Sequence, residues 1–217
     1  MKRPILAALA LVAMFAFVAL GVWQVERRAW KLDLIARVDA GIHAAPVPVA
    51  EAHGEPYRRV RATGQFVPGR ETLVQALTER GAGYWVITPL RTARGMVLIN
   101  RGFVPGSDTP RATPAGTVTV TGLLRATEPG GGFLRANDPA AGRWYSRDVA
   151  AIASARGLGP VSPWFVDAAA SPNPRVYPIG GLTVVRFNNN HLVYALTWFG
   201  LAGLSAYAAF LLVRKPR

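Results

Sequence analysis

The chain has 217 residues, 51% of them hydrophobic, a formal net charge of +13 and no cysteine. It is long enough for one ordinary domain plus additional apolar segments, so it is too long to be a bare anchor. The lack of cysteine excludes a disulfide framework, a CxxCH site for covalent haem, an iron–sulfur cluster and a thiolate copper site. The arginines are scattered instead of gathered in a basic helix, so attraction to anionic lipid headgroups explains the charge and no nucleic-acid partner is expected.

The first apolar segment covers residues 5–23 and contains no charged side chain. At about 1.5 Å per residue, a helix of this length crosses a hydrocarbon core of about 30 Å. Lys2 and Arg3 precede it, a pattern that a cleaved signal peptide shares. Its length, and Trp23 followed by Glu26 and two arginines as an interfacial anchor, favour a retained transmembrane helix.

A β-rich region follows the first segment. Residues 27–40 keep helical spacing and are predicted to continue the first helix into water. Beyond a turn-rich connection, short β-like runs alternate with Gly, Pro, Asp and Asn clusters, at residues 57–66, 72–78, 84–90, 96–103, 117–125, 164–167 and 182–187. One helix over residues 147–156, with Asp148 as its cap, interrupts them. The strand spacing predicts an antiparallel sheet closed into a small barrel or a sandwich.

The second apolar segment covers residues 191–213, where His191 and two tyrosines are the only ionisable groups. Two spans put the tails, residues 1–4 and 214–217, on one side and residues 24–190 on the other. Basic residues flank the spans equally on both sides, but long loops translocate largely regardless of charge, so we expect cytoplasmic tails and an external domain. The predicted fold is a membrane protein in which a two-helix transmembrane hairpin carries a mainly β external domain with one short helix.

The sequence displays no catalytic signature: HExxH, GxxxxGK and GxSxG are all absent, and the protein is predicted not to be an enzyme. His43 and His53 lie in the turn-rich connection, where exposed imidazoles are the default and a pair without a third ligand rarely binds metal. Asp148 and Asp167 could be paired in space, but a helix cap or a solvated turn is the expected use of such acids.

Arg101 lies in the stretch VLINRGFVP, where the following Gly102 permits a bulge or a positive φ that turns the arginine outward. Such an arginine either meets an acidic partner or a propionate, or pins a neighbouring carbonyl or carboxylate across the strand end. The rigid guanidinium fork serves both uses, with the structural use favoured.

The start of the second apolar segment presents a distinctive helical face. Its members are His191, Tyr194, Ala195, Trp198, Ala202 and Ser205. A flat macrocycle could lie there, with the imidazole on its iron and the aromatic rings against it. The first helix could occupy the same face, because small residues let helices approach closely. His191 could also be a histidine at the level of the lipid headgroups.

Seven motifs run through nearly the whole chain: LGVWQVERRAWKLDLI, YRRVRATGQF, GYWVITPL, VLINRGFVP, VTVTGLLR, WYSRD and NNNHLVYALTWFGLA. Together and in this order they resemble the surfeit locus protein 1 family. The resemblance implies a two-span, non-enzymatic membrane protein that assists cytochrome c oxidase assembly and, in bacteria, helps haem a reach the catalytic subunit. The first span begins close to the start without an Arg- and Ser-rich transit segment, so we expect a bacterial inner-membrane protein with a periplasmic domain.

The resemblance also implies a cofactor site. The family's histidine at the head of the last span corresponds to His191, the expected iron ligand, and its aromatic neighbours to Tyr194 and Trp198. The preceding asparagines are predicted to cap the helix. The implied cofactor is transiently bound haem a, and the implied partners are the oxidase catalytic subunit, haem a synthase as a second candidate, and the bilayer. The alternative is a haem-independent docking chaperone that stabilises a nascent oxidase subunit; enzymatic modification of haem would need a catalytic centre that the residues do not display.

Overall fold

The computed structural model describes residues 2–171, 173 and 175–214. These described residues divide into two compact units, a helical unit within residues 2–37 and 186–214 and a β unit within residues 38–185. The elements in chain order are α1 (Lys2–His43), β1 (Val47–Pro48), a 3₁₀ turn (Val49–Glu51), β2 (Arg59–Phe66), β3 (Thr72–Thr78), β4 (Gly81–Thr92), β5 (Gly95–Val104), β6 (Thr117–Ala126), β7 (Gly131–Gly132), β8 (Arg135–Ala136), α2 (Val149–Ala155), β9 (Val161–Ala168) and α3 (His191–Val213).

The β unit is built on a closed five-strand barrel. The strands neighbour one another in the order β2-β6-β9-β5-β4, and β2 also pairs with β4 to close the ring. All these pairings are antiparallel except β5 with β9. β3 extends the ring beside β4, and β1 lies parallel to β2. The prediction of a mainly β domain is therefore confirmed, with the small barrel as the observed alternative.

Alternation along the strands separates two hydrophobic clusters, because successive side chains of a strand point to opposite faces. On β5, Val97 and Ile99 belong to one cluster and Leu98 to the other. The first cluster fills the barrel together with Val60, Ala62, Leu90, Leu124 and Val166. The second lies outside the barrel beneath α2 and includes Val74, Ile87, Trp144, Val149, Ile152 and Phe165. β5 is consequently buried on both faces.

The short helix forms where it was predicted. α2 covers Val149–Ala155, and the carboxylate of Asp148 caps it by accepting a hydrogen bond from the backbone N–H of Ala151 at 3.1 Å. This capping satisfies one of the N–H groups that a helix start leaves free.

The strand predicted over residues 182–187 is wrong: residues 181–190 have no regular secondary structure. Their β-branched content is typical of a strand, but a strand also needs a neighbour with free backbone groups. β9, which precedes this segment, is already paired on both sides by β5 and β6. The closed ring therefore leaves β9 no edge on which a further strand could be added.

The two terminal helices are the segments, among the described residues, that are long and apolar enough to cross a membrane. α1 continues without a break to His43, as the helical spacing of residues 27–40 predicted. The predicted capping of α3 by asparagine is wrong. Asn190 is the N-cap residue, but its side chain makes no capping hydrogen bond, and its φ of −97° and ψ of 8° differ from the extended backbone of a usual cap.

Gly102 should be intolerant of any side chain. Its φ is +129°, and a Cβ there would collide with the carbonyl group of Ile179, which pairs with Phe103 through two 2.9 Å backbone hydrogen bonds. Gly95 has a similar φ of +123° but open space around the equivalent position. We expect Gly95→Ala to cost about 1–3 kcal/mol of backbone strain. Gly102→Ala should cost roughly a further 1–3 kcal/mol, because it adds overpacking.

Thermal unfolding of the two variants in detergent, followed by tryptophan fluorescence, measures this difference. Equal losses of stability in Gly95→Ala and Gly102→Ala would contradict the assigned close approach of Gly102 to the Ile179 carbonyl.

Candidate functional site

In the helical unit, His191 is held by a hydrogen bond to α1. It lies in the first turn of α3, and its Nδ1 atom is 2.7 Å from Oε1 of Gln24. Gln24 is only 9% exposed, whereas His191 is half-buried. Sequence reasoning missed Gln24; the available signal was an uncharged polar residue directly after the first apolar segment.

Small residues allow α1 and α3 to approach closely. Every seventh residue of α3 is a buried alanine, at Ala195, Ala202 and Ala209. On α1, a Cβ placed on Gly21 would lie 2.5 Å from the Phe199 ring, so glycine makes room for that ring. Small buried residues that recur every seven positions are typical of helices packed along a shared seam.

The three predicted site residues do not all point the same way. The Trp198 ring stacks on Phe17, with centroids 5.6 Å apart and planes 21° apart. Tyr194 is 54% exposed and lies beside the seam instead of within it. The first helix thus occupies part of the face that was considered for a macrocycle. Haem ligation by His191, with Tyr194 and Trp198 as neighbours, stays a prediction.

The β unit contains a buried ion cluster around Asp167, near the end of β9. Asp167 is 3% exposed and accepts hydrogen bonds from Asn100 of β5 at 2.7 Å, from Arg125 of β6 at 2.7 Å and from Arg147 at 3.1 Å. The hydroxyl of Thr183 donates a further bond at 3.1 Å. The interpretation of Asp167 as a cap or a solvated turn residue is therefore wrong, because its partners come from distant strands.

Arg147 joins Asp167 to a second carboxylate, that of Glu128. Its Nε atom donates to Glu128 Oε2 at 2.9 Å, and a second nitrogen donates to Oε1. Burial alone would raise the pKa of Glu128, but the hydrogen bonds and charge of Arg147 outweigh burial and hold that pKa below its usual value. Burial alone would lower the pKa of Arg147, but its bond to Glu128 and the charge of Asp167 raise it. The cluster is formed by two cations and two anions and is locally neutral.

A cavity of about 310 Å³ opens beside this cluster. Asn100, Arg125, Arg147 and Asp167 line its polar side, and its apolar side includes Leu77, Trp85, Leu182 and Val184. Arg125, Arg147 and Asp167 at this cavity are engaged in the ion cluster, so their charges are already compensated by one another and by Glu128.

Arg101 takes the structural one of its two predicted roles. Its guanidinium donates to the Ala112 carbonyl at 2.5 Å and to the Thr113 hydroxyl at 3.1 Å. Thr113 in turn donates to Glu71 at 2.6 Å. Burial lowers the pKa of Arg101, and the charge of Glu71 acts against that effect. Arg101 therefore fastens the segment that precedes β6.

His43 and His53 are exposed, as predicted for the connection after the first helix. The described residues contain no group of three or more His, Cys, Asp or Glu side chains that could hold a metal ion.

The fold and its site define a class: a closed five-strand barrel whose sequence lies between those of two long apolar helices, with a histidine heading the second helix. The model of the SURF1 family matches residues 11–203. Surfeit locus protein 1 of Rattus norvegicus is 33% identical, over 88% of this chain and 70% of its own. The Homo sapiens protein of that name is 35% identical, over 93% and 75%. A SURF1-like protein of Monosiga brevicollis is 35% identical, over 90% and 83%. The chain belongs to the SURF1 family, and the resemblance seen in its motifs is confirmed.

Removing the Asp167 carboxylate should destabilise the barrel strongly. Asp167→Ala leaves Arg125 and Arg147 without their buried partner, which typically costs about 3–5 kcal/mol. Asp138→Ala, which breaks the exposed ion pair with Arg143, is the matched control and should cost far less. Thermal unfolding measures both, and comparable losses would contradict a structural role for the buried cluster.

The Glu128 pair should make stability depend on acid pH. Because the folded-state pKa of Glu128 lies below its unfolded value of about 4.3, its stabilisation is present above that pH and is lost as pH falls through the folded pKa. Glu128→Gln should therefore be less stable than the parent at pH 7, and the difference should shrink below about pH 4. Unfolding midpoints measured between pH 3 and pH 7 test this; a constant difference would contradict it.

Proposed function

We propose that the protein is a membrane-anchored assembly factor for cytochrome c oxidase that holds haem a transiently through His191 and passes it to the catalytic subunit. Membership of the SURF1 family supports the oxidase-assembly part. The observation that carries the haem part is the state of the His191 ring. Its Nδ1 atom is engaged by Gln24, while its Nε2 atom makes no hydrogen bond to the residues that the structure describes.

A membrane location is supported by the surfaces of α1 and α3. Both helices carry large apolar side chains that are exposed in the protein alone, among them Val12, Phe15, Leu196 and Leu204. Lipid chains would cover such surfaces, because a monomeric protein in water rarely leaves so much contiguous apolar area uncovered. We assign residues 5–23 and 191–213 to the bilayer of a bacterial inner membrane, the short tails to the cytoplasm and residues 24–190 to the periplasm.

The residues at the head of α3 suit a haem as cargo. Histidine imidazole is an ordinary axial ligand of haem iron. The exposed Tyr194 ring lies one helical turn from His191 and can rest against a macrocycle. The Trp198 ring is half-buried against Phe17. The part of the ring that this stacking leaves exposed is available to contact a macrocycle. This function requires the chain to bind haem a and then release it. In this proposal the oxidase catalytic subunit receives the haem, and haem a synthase is the candidate supplier.

A second function, haem-independent docking of a nascent oxidase subunit, is favoured by a different observation. Three large apolar side chains at hairpin tips of the β unit are almost fully exposed: Leu77 (86%), Phe133 (91%) and Leu134 (89%). Exposed apolar side chains of this size mark contact sites for other proteins when they cluster. In this alternative, the only role of His191 is to stabilise the packing of α3 against α1 through its hydrogen bond to Gln24.

The deciding experiment is the visible absorption spectrum of protein purified from a host that makes haem a. The parent should carry a stoichiometric haem a band, His191→Ala should lose it, and His53→Ala should keep it because His53 is an exposed histidine of the other unit. Circular dichroism confirms that all three are folded. If the parent protein carries no haem but still co-purifies with the oxidase subunit, the haem proposal is contradicted and the docking function is supported.

A further inference from the structure

We propose that Gln24 is a positioning residue that fixes the tautomer of His191, so that the ring carries its proton on Nδ1 and presents the lone pair of Nε2 outward as a metal ligand. The assignment of the tautomer follows from the helix pair alone. Its purpose, ligation of haem iron, rests on the proposed function.

The direction of the hydrogen bond determines the tautomer. The partner of Nδ1 is the amide oxygen of Gln24, at 2.7 Å. An amide oxygen accepts hydrogen bonds and cannot donate one, so Nδ1 must carry the hydrogen. A neutral imidazole has one N–H, and therefore Nε2 is unprotonated and keeps its lone pair. Metal-bound histidines in proteins are commonly oriented in this way, by a carbonyl or carboxylate on the other ring nitrogen.

The burial of Gln24 gives this bond its strength. Its side chain lies on the seam between α1 and α3, three residues after Gly21 and seven after Phe17, and is almost wholly buried. A buried amide oxygen without a donor costs free energy, and His191 is the only donor to it among the described residues. His191 is only half-buried and has lost less water than Gln24, so an amide oxygen left without a donor would be the costlier loss.

A purely structural clasp between the helices is the competing explanation. A clasp would tolerate either tautomer, since a glutamine can present its NH₂ group to an unprotonated Nδ1 as well as its oxygen to a protonated one. Measuring the tautomer therefore separates the two explanations.

Two substitutions of Gln24 provide matched variants. Gln24→Glu keeps an acceptor oxygen at the same reach and should retain the Nδ1–H tautomer. Gln24→Met keeps the length and the apolar packing but removes the strong acceptor, so the ring should gain the Nε2–H tautomer. Because His43 and His53 are exposed and lie in the other unit, substituting both with glutamine leaves His191 as the single histidine signal.

The experiment uses the full chain with ¹⁵N-labelled histidine, produced without haem a, in nanodiscs at about pH 8. Long-range ¹H–¹⁵N correlation spectra report which ring nitrogen is protonated. Ferric haem is then titrated into the same samples. We expect Nδ1–H in the parent and in Gln24→Glu, and a shift towards Nε2–H in Gln24→Met, with about 10- to 100-fold weaker haem binding.

The outcomes separate this inference from the proposed function. Nε2–H in the parent, or one tautomer shared by the parent and Gln24→Met, overturns the role of Gln24 even if haem binds. If the tautomers are as expected but neither the parent nor any variant binds haem, the positioning of the His191 ring by Gln24 is established and the proposed haem function is wrong. Should Gln24→Met fail to fold, the parent and Gln24→Glu still decide whether the proton resides on Nδ1.

Discussion

One buried carboxylate connects the parts of the β unit that are far apart in sequence. Asp167 on β9 accepts from Asn100 on β5, Arg125 on β6, Arg147 at the approach to α2, and Thr183 in the irregular segment that follows. Burying a charge in an apolar domain is costly unless it is paired and hydrogen-bonded. The placement of β9 between β5 and β6 brings Asn100 and Arg125 to the carboxylate, so the cluster favours this strand order over arrangements that separate the three strands.

The hydrophobic packing depends on the same neighbouring strands. β5 and β9 send alternate side chains into the barrel and beneath α2, so each strand contributes to both hydrophobic clusters. A register slip of one residue would exchange the two sets and move Asp167 away from Asn100, with which it is aligned in the parallel pairing. The hydrophobic pattern and the ion cluster therefore specify one register together.

The sequence correctly predicted the features of the fold that depend on local residue patterns. The apolar segments, the helix after Asp148 and the mainly β character were predictable from residues close together in the chain. The features it missed join distant residues: Asn100 and Asp167 are 67 positions apart, and Gln24 and His191 are 167 apart. The false strand at residues 182–187 has the same origin, because β-branched composition is local whereas the availability of a strand edge depends on the whole topology.

Asp167 and His191 differ in how completely their hydrogen-bonding capacity is used within the described chain. An ionised carboxylate has about four acceptor positions, and donors from four residues engage those of Asp167. It has nothing left to offer a ligand, which suits a structural role. The His191 ring uses one nitrogen on Gln24 and keeps the other without a partner in the described chain. A polar group that the fold orients but does not fully engage has capacity left for a ligand, and His191, at the head of the second apolar helix, is such a group.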